Sequence, residues 1–188
     1  MQLAPTEVCD SRCTFCSFGN RDPHSAVDFG DIETGLRSFH RLGAQGLELT
    51  GGGNPLLYKC KRTGKTINDI ISLAQESYGA IGMITNGFDL NRIGKAQSAA
   101  LTWVRISGVK FFEGKTASDI DLGYVQPERV GFNFVCPIGT VTSRTPGSEV
   151  RLSALLELLD AILALSKYSF HPYRARFRSR DPGRSICR

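Results

Sequence analysis

Short apolar runs alternate with segments of helical periodicity along most of the chain, and this alternation limits the fold more than any other feature. The runs are predicted strands, at residues 2–6, 47–50, 80–85, 103–107, 130–136 and 168–177. Between them, apolar residues recur at spacings of three and four, which predicts helices at 31–42, 66–78, 90–101, 116–122 and 152–163. Strands that alternate with helices form parallel sheets with right-handed crossovers.

The number of these units sets the architecture. A complete eightfold β/α barrel typically needs about 250 residues, whereas this chain has 188. We therefore expect an α/β fold, a partial (β/α)6 TIM-like barrel with parallel strands, and an open doubly wound sheet is the alternative. Residues 1–178 would form one core domain. Residues 179–188, with a Pro-Gly pair and no periodicity, would form an irregular tail where a sixth helix should follow, so the chain could be a natural miniature, a fragment truncated after strand six or a frameshift product.

Composition excludes several classes of protein. Charged residues make up 22% and hydrophobic residues 41% of the chain, which is far from the composition of disordered proteins. The longest apolar run, residues 152–165, contains Glu157 and Asp160 and is too short and polar to span a membrane. The first ten residues lack a secretory signal, so a cytoplasmic location is expected. The net charge of +5 suits an anionic substrate or RNA and decides neither.

Three of the six cysteines form a C-x3-C-x2-C motif directly after the first predicted strand, at Cys9, Cys13 and Cys16. Three thiolates at this spacing can ligate three irons of a cubane cluster and leave the fourth iron open to another ligand. In β/α barrels the loops at the carboxyl ends of the strands carry the chemistry. Structural zinc, the alternative, needs a fourth ligand, and the nearby His24 and His40 stand at no familiar spacing.

With the motifs that follow the later strands, this loop resembles the radical S-adenosylmethionine (radical SAM) superfamily over residues 2–177. The matching segments are CDSRCTFC at 9–16, TGGGNP at 50–55, TNG at 85–87, RIS at 105–107 and GFNFV at 131–135. The resemblance implies a [4Fe-4S] cluster on the three cysteines, with S-adenosylmethionine bound to its open iron. One electron from the cluster would cleave this cofactor to methionine and a 5′-deoxyadenosyl radical, which abstracts a hydrogen atom from the substrate.

The resemblance also implies contacts to S-adenosylmethionine. The backbone near Phe15 would meet the adenine, Gly51, Gly52 and Gly53 would meet the methionine amino group, and Ser107 would approach the ribose or carboxylate. Asn54 and Asn86 would line the same site. Glycines at a strand end let a ligand approach the backbone closely, although an ordinary turn explains them as well.

Two positions depart from the family pattern. Asn54 stands where many members have Glu, so an amide oxygen replaces a carboxylate. Ser107 is followed by Gly108 and Val109, whereas many members have Ser-x-Asp on the fourth strand. We expect these departures to affect cofactor affinity more than reaction type.

The substrate, the partners and several residues stay open. The resemblance implies a flavodoxin- or ferredoxin-like electron donor, and the substrate could be a peptide, a nucleotide, a small metabolite or RNA. Two other classes of protein remain, a non-catalytic zinc- or nucleic-acid-binding module and a truncated cluster-binding relic. Cys60, Cys136 and Cys187 are too dispersed for a second cluster. The alternating arginines from Arg174 to Arg180 either enter the barrel or protect an edge strand.

A short phosphate-loop-like sequence at Gly64, Lys65 and Thr66 is predicted to be a helix start. The glycine that a phosphate loop requires five positions earlier is Lys59.

Overall fold

The computed structural model describes residues 1–13 and 16–133, which form an open sheet with helices between its strands. The elements are β1 (Gln2–Leu3), α1 (Phe29–Arg41), β2 (Gly46–Leu49), α2 (Ile67–Gln75), β3 (Ala80–Thr85), α3 (Lys95–Ala100), β4 (Trp103–Ser107), α4 (Val109–Phe112) and β5 (Val130–Asn133). The five strands follow one another in chain order, and each pairs with the next in parallel. The predicted α/β class with parallel strands is confirmed, and the open sheet is consistent with a partial TIM-like barrel.

Several predictions fall outside the described residues. They are the helix at 152–163, the strand at 168–177, the arginines from Arg174 to Arg180, and the cysteines at 136 and 187.

The core lies between the sheet and the helices. Side chains alternate along each strand, and the buried set includes Leu47 and Leu49 of β2 and Val104 and Ile106 of β4. These residues join one apolar cluster with the buried face of α2, whose members are Ile67, Ile70, Ile71 and Ala74. The helices therefore pack on one side of the sheet, and this packing fixes the positions of the strand ends.

The helix α2 begins as predicted at the Gly-Lys-Thr sequence. Thr66 is its N-cap, and the backbone N–H of Thr66 donates to the carboxylate of Asp69 at 2.8 Å. The Thr66 side chain in turn accepts from the backbone N–H of Asp69. The two bonds form a capping box, which satisfies backbone groups that a helix end leaves unpaired. Residues 64–66 thus start a helix.

The predicted helix at 90–101 is two elements in the structure. A 3-10 turn spans Leu90–Arg92, and α3 begins only at Lys95. Gly94 between them has an extended backbone (φ −64°, ψ 160°), and its N–H donates to the side chain of Asn68 at 2.8 Å. A residue with extended ψ cannot continue a helix, so the uniform periodic pattern concealed a break.

Three other elements differ from prediction. The strand predicted at 2–6 ends at Leu3, and Thr6 forms an isolated antiparallel bridge with Ala26. The predicted helix at 116–122 is a single 3-10 turn, Ala117–Asp119. The short helix α4 follows β4 directly and was not predicted. Among the residues that the structure describes, no helix combines the length and apolar character needed to cross a bilayer.

Candidate functional site

The loop that carries the three cysteines is closed at its base by backbone hydrogen bonds. The N–H of Val27 donates to the carbonyl of Pro5 at 2.9 Å, and the N–H of Glu7 donates to that of Ser25 at 3.0 Å. The bridge between Thr6 and Ala26 lies between these two bonds. The chain segments on either side of residues 8–24 are therefore bound to each other, and the three cysteines lie between them.

The glycine run after β2 holds the other side of this base. The N–H of Gly53 donates to the carbonyl of Thr6 at 2.7 Å, and the N–H of Asn54 donates to that of Val8 at 2.7 Å. A Cβ atom on Gly52 would lie 2.6 Å from the Thr6 oxygen, and one on Gly53 would collide with the Val8 carbonyl. The lack of side chains thus lets the run pack directly against the segment that precedes Cys9.

Gly51 and Gly52 also need their freedom of conformation. Their φ angles are +76° and +57°, values that side chains disfavour. The turn and the close packing account for the glycines structurally. The predicted contact of the run with the methionine amino group stays a prediction.

The three cysteines are half-buried free thiols on the loop. The N–H of Cys16 donates to the carbonyl of Cys13 at 3.1 Å, which makes a tight turn between them. Burial raises the pKa of the Cys13 thiol, and the neighbouring sulfurs of Cys16 and Cys9 raise it further. Charge on Cys9 and Cys16 therefore disfavours ionisation of Cys13, and a bound cation would offset that repulsion.

These thiols fit an iron–sulfur cluster in donor chemistry and in chain spacing. Within residues 1–13 and 16–133, no three His, Cys, Asp or Glu side chains are already gathered as a ligand set. The fit therefore rests on the type and spacing of the donors. Phe15, the predicted adenine neighbour, lies outside the described residues.

Two side chains place hydrogen-bond donors on the sulfurs. The amide of Asn86 lies 3.6 Å from Cys9 Sγ and also donates to the hydroxyl of Ser11 at 2.8 Å. The guanidinium of Arg21 lies 3.6 Å from Cys16 Sγ and donates to the carbonyls of Gly52 at 3.4 Å and Ser11 at 3.0 Å. Such donors stabilise thiolate ligands and tune a bound cluster.

Of these two, only Asn86 was predicted from the sequence, and the structure brings it to the cysteine loop. Ser11 and Arg21 were missed. Both act through contacts that join distant parts of the loop and the sheet, and no spacing pattern marks them.

Asn54 is buried beside the loop, and its side-chain oxygen uses both of its acceptor sites. Its Oδ1 accepts from the backbone N–H of Leu56 at 3.1 Å and from the hydroxyl of Thr85 at 2.7 Å. An amide oxygen has two lone pairs, and both are used here. Its Nδ2 donates to Asp10 at 3.3 Å. Asn54 thus ties the glycine run to β3 and to the cysteine loop, and its contact with the cofactor stays a prediction.

Asp10 and Lys110 form an ion pair next to the first cysteine, with 2.9 Å between Nζ and Oδ2. Burial alone would raise the pKa of Asp10, but the hydrogen bond and charge of Lys110 outweigh it and lower the pKa. Burial would likewise lower the pKa of Lys110, and the carboxylates of Asp10 and Glu113 raise it instead. Both groups are therefore charged at neutral pH.

Ser107 ends β4, in register with Asn133 of β5, and is half-buried. Lys110 lies one helical turn beyond it in α4. The carboxyl ends of β2, β3 and β4 thus all face the cysteine loop. The loop itself forms an open depression of about 440 Å³, lined by Glu7, Cys16, Ser17, Phe18, Gly19, Asn20 and Arg21.

Comparison with known proteins identifies a family and several related enzymes. A sequence profile of the Radical SAM superfamily matches residues 3–108. A GTP 3′,8-cyclase of Photorhabdus laumondii is 33% identical over 113 residues, covering 57% of this chain and 32% of that protein. Proteins of the same name from Pectobacterium atrosepticum and Cronobacter sakazakii are 29% and 31% identical over 115 residues. The chain matches about a third of the length of these relatives.

Proposed function

The chain belongs to the radical SAM superfamily, as its motifs predicted, and from this premise we propose that it is a cluster-dependent radical enzyme. Cys9, Cys13 and Cys16 would hold a [4Fe-4S] cluster, with S-adenosylmethionine beside it. When bound and reduced, this cluster would supply the electron for cleavage of S-adenosylmethionine to methionine and a 5′-deoxyadenosyl radical, which would abstract a hydrogen atom from the substrate. One observation carries the proposal: the three free thiols share one loop that is packed against the glycine run after β2.

The protein's own residues would position this chemistry. Asn86 and Arg21 donate to the sulfurs of Cys9 and Cys16, and Arg21 also joins the loop to the carbonyl of Gly52. The glycine run presents backbone at the strand end, where S-adenosylmethionine would bind. Ser107 at the end of β4 and Asn86 after β3 would line the same cofactor site, as would the backbone near Phe15.

The electron would come from a flavodoxin- or ferredoxin-like protein, as the family resemblance implies. Among the open substrate classes, a purine nucleotide is the first to test, because the three relatives named above are GTP 3′,8-cyclases. A peptide and a small metabolite are the comparison substrates. The net charge of +5 suits an anionic substrate.

The test is anaerobic reconstitution with iron and sulfide, followed by analysis of bound metal and of 5′-deoxyadenosine formed with dithionite. We expect about four irons per chain in the wild type, and loss of both cluster and product in Cys9→Ala, Cys13→Ala and Cys16→Ala. Cys60→Ala is the matched control, since Cys60 is buried elsewhere in the core and its loss should leave the cluster intact. Product formation by any of the three loop variants, or zinc in place of iron, would contradict the proposal.

A further inference from the structure

Asp10 receives hydrogen bonds from residues that follow three consecutive strands. Its Oδ1 accepts from the amide of Asn54, after β2, at 3.3 Å, and from that of Asn86, after β3, at 3.2 Å. Its Oδ2 pairs with the ammonium of Lys110, after β4, at 2.9 Å. The residue next to the first cysteine is therefore the point where three strand ends meet.

Two of these donors are held in place by contacts outside the cysteine loop. Asn54 is fixed by Thr85 of β3 and by the backbone of the following turn. The side chain of Lys110 is only 13% exposed, and its second partner is Glu113 at 3.3 Å. A buried ammonium is costly unless it is paired and hydrogen-bonded. Asn54 and Lys110 thus have fixed positions, and together they set the position of the Asp10 carboxylate.

We propose that Asp10 is the positioning residue of the cysteine loop. Its carboxylate, held by Asn54, Asn86 and Lys110, fixes Cys9 relative to the ends of β2, β3 and β4. Lys110 also balances the negative charge that Asp10 brings to the neighbourhood of the cluster. The positional part of this inference concerns the protein itself, and the electrostatic part rests on the proposed function.

The competing interpretation is an ordinary surface ion pair. The Asp10 side chain is 40% exposed, and loss of an exposed pair changes an equilibrium by about fivefold at most. A matched control exists in the pair between Lys65, which precedes α2, and Asp69 of α2, with 2.7 Å between nitrogen and oxygen and side-chain exposures of 47% and 30%. This pair lies at the start of α2 and has no contact with the cysteine loop among its hydrogen bonds.

The first experiment needs no cluster. Amide hydrogen exchange of the reduced apo-protein is followed in peptides that cover residues 7–13, for Asp10→Asn, Lys110→Met, the double variant and the control Lys65→Met. Loss of a hydrogen bond to a charged group that fixes the loop should speed exchange at Cys9 and its neighbours by about tenfold or more, with no change in Lys65→Met. Exchange at wild-type rates in both Asp10→Asn and Lys110→Met would overturn the positional role.

The second experiment measures the reduction potential of the reconstituted cluster by a redox titration followed by electron paramagnetic resonance. Removing a negative charge favours the reduced cluster, and removing a positive charge disfavours it. Asp10→Asn should therefore raise the potential, Lys110→Met should lower it, and the double variant should return close to the wild type. If the ion pair had only a structural role, both single variants would shift the potential in the same direction. Shifts in the same direction, or no shift, would therefore overturn charge balancing.

The two experiments separate the two claims. A wild-type protein that takes up no cluster would refute the proposed function and the charge balancing that rests on it. The exchange rates of the apo-protein would still decide whether Asp10 positions the loop.

Discussion

Replacing Gly53 by Ala tests the packing on which the whole site depends. The added methyl group would collide with the carbonyl of Val8, in the segment that leads into the cysteine loop. The two backbone hydrogen bonds that join this segment to the glycine run, from Gly53 to Thr6 and from Asn54 to Val8, are both 2.7 Å long. The collision can be relieved only by moving one backbone away from the other, which weakens both bonds.

The magnitude follows from these two effects. Overpacking costs about 1–3 kcal/mol, and each backbone hydrogen bond contributes about 0.5–1.5 kcal/mol. We expect Gly53→Ala to lower the free energy of unfolding by about 2–6 kcal/mol. The matched control is Gly35→Ala in α1, where an added Cβ meets nothing within 4 Å. There alanine should stabilise the protein by about 0.5–1 kcal/mol, because glycine is a poor helix residue.

The assay is equilibrium urea unfolding of the reduced apo-protein, followed by circular dichroism and by the fluorescence of the single tryptophan. The two alanine variants should shift the unfolding midpoint in opposite directions. If Gly53→Ala were as stable as Gly35→Ala, the glycine run would not be packed against the segment before Cys9. The explanation given for the glycines would then be wrong.

Three further predictions concern charge and packing around the site. The bidentate contact with Arg62 lowers the pKa of Asp28 from its ordinary value of 3.8, so this pair stabilises the fold above about pH 4 and the contribution is lost as pH falls below that value. Asp28→Asn should therefore flatten the acid limb of a stability–pH curve, and an unchanged limb would refute the pairing. Gly82→Ala should shift the emission of Trp103 and cost about 1–3 kcal/mol, because an added Cβ would collide with the indole ring; an unchanged spectrum would show that the ring lies elsewhere. Arg21→Gln should lower the reduction potential of the reconstituted cluster, since it removes a positive charge from beside one ligand sulfur, and an unchanged or higher potential would contradict that contact.

Periodicity in the sequence was enough to predict the strands β2, β3 and β4, because buried parallel strands are continuous apolar runs. It failed where one residue breaks a pattern that otherwise continues. Gly94 divides the predicted helix at 90–101, and nothing in the apolar spacing reveals its extended backbone. The helix α4 has four residues, too few to show a period.

The candidate site likewise has a part that the sequence predicts and a part that only the structure reveals. The cysteine loop and the glycine run each have a local motif, and the rule that parallel strands end at one edge predicts that they meet. Asp10, Arg21 and Lys110 have no such motif. Their contacts join segments far apart in the chain, as in the pair of Lys110 with Asp10. Only the folded chain brings these charges together.

Electron paramagnetic resonance of the reconstituted, dithionite-reduced protein, with and without S-adenosylmethionine, tests the central claim most directly. The proposed function predicts a [4Fe-4S]+ signal that changes shape when the cofactor is added, because the three cysteines leave one iron open. A cluster signal that does not change when the cofactor is added would contradict the proposed enzymatic function and favour a cluster-binding relic. A protein that holds zinc and gives no cluster signal would contradict the assignment of the cysteine loop itself.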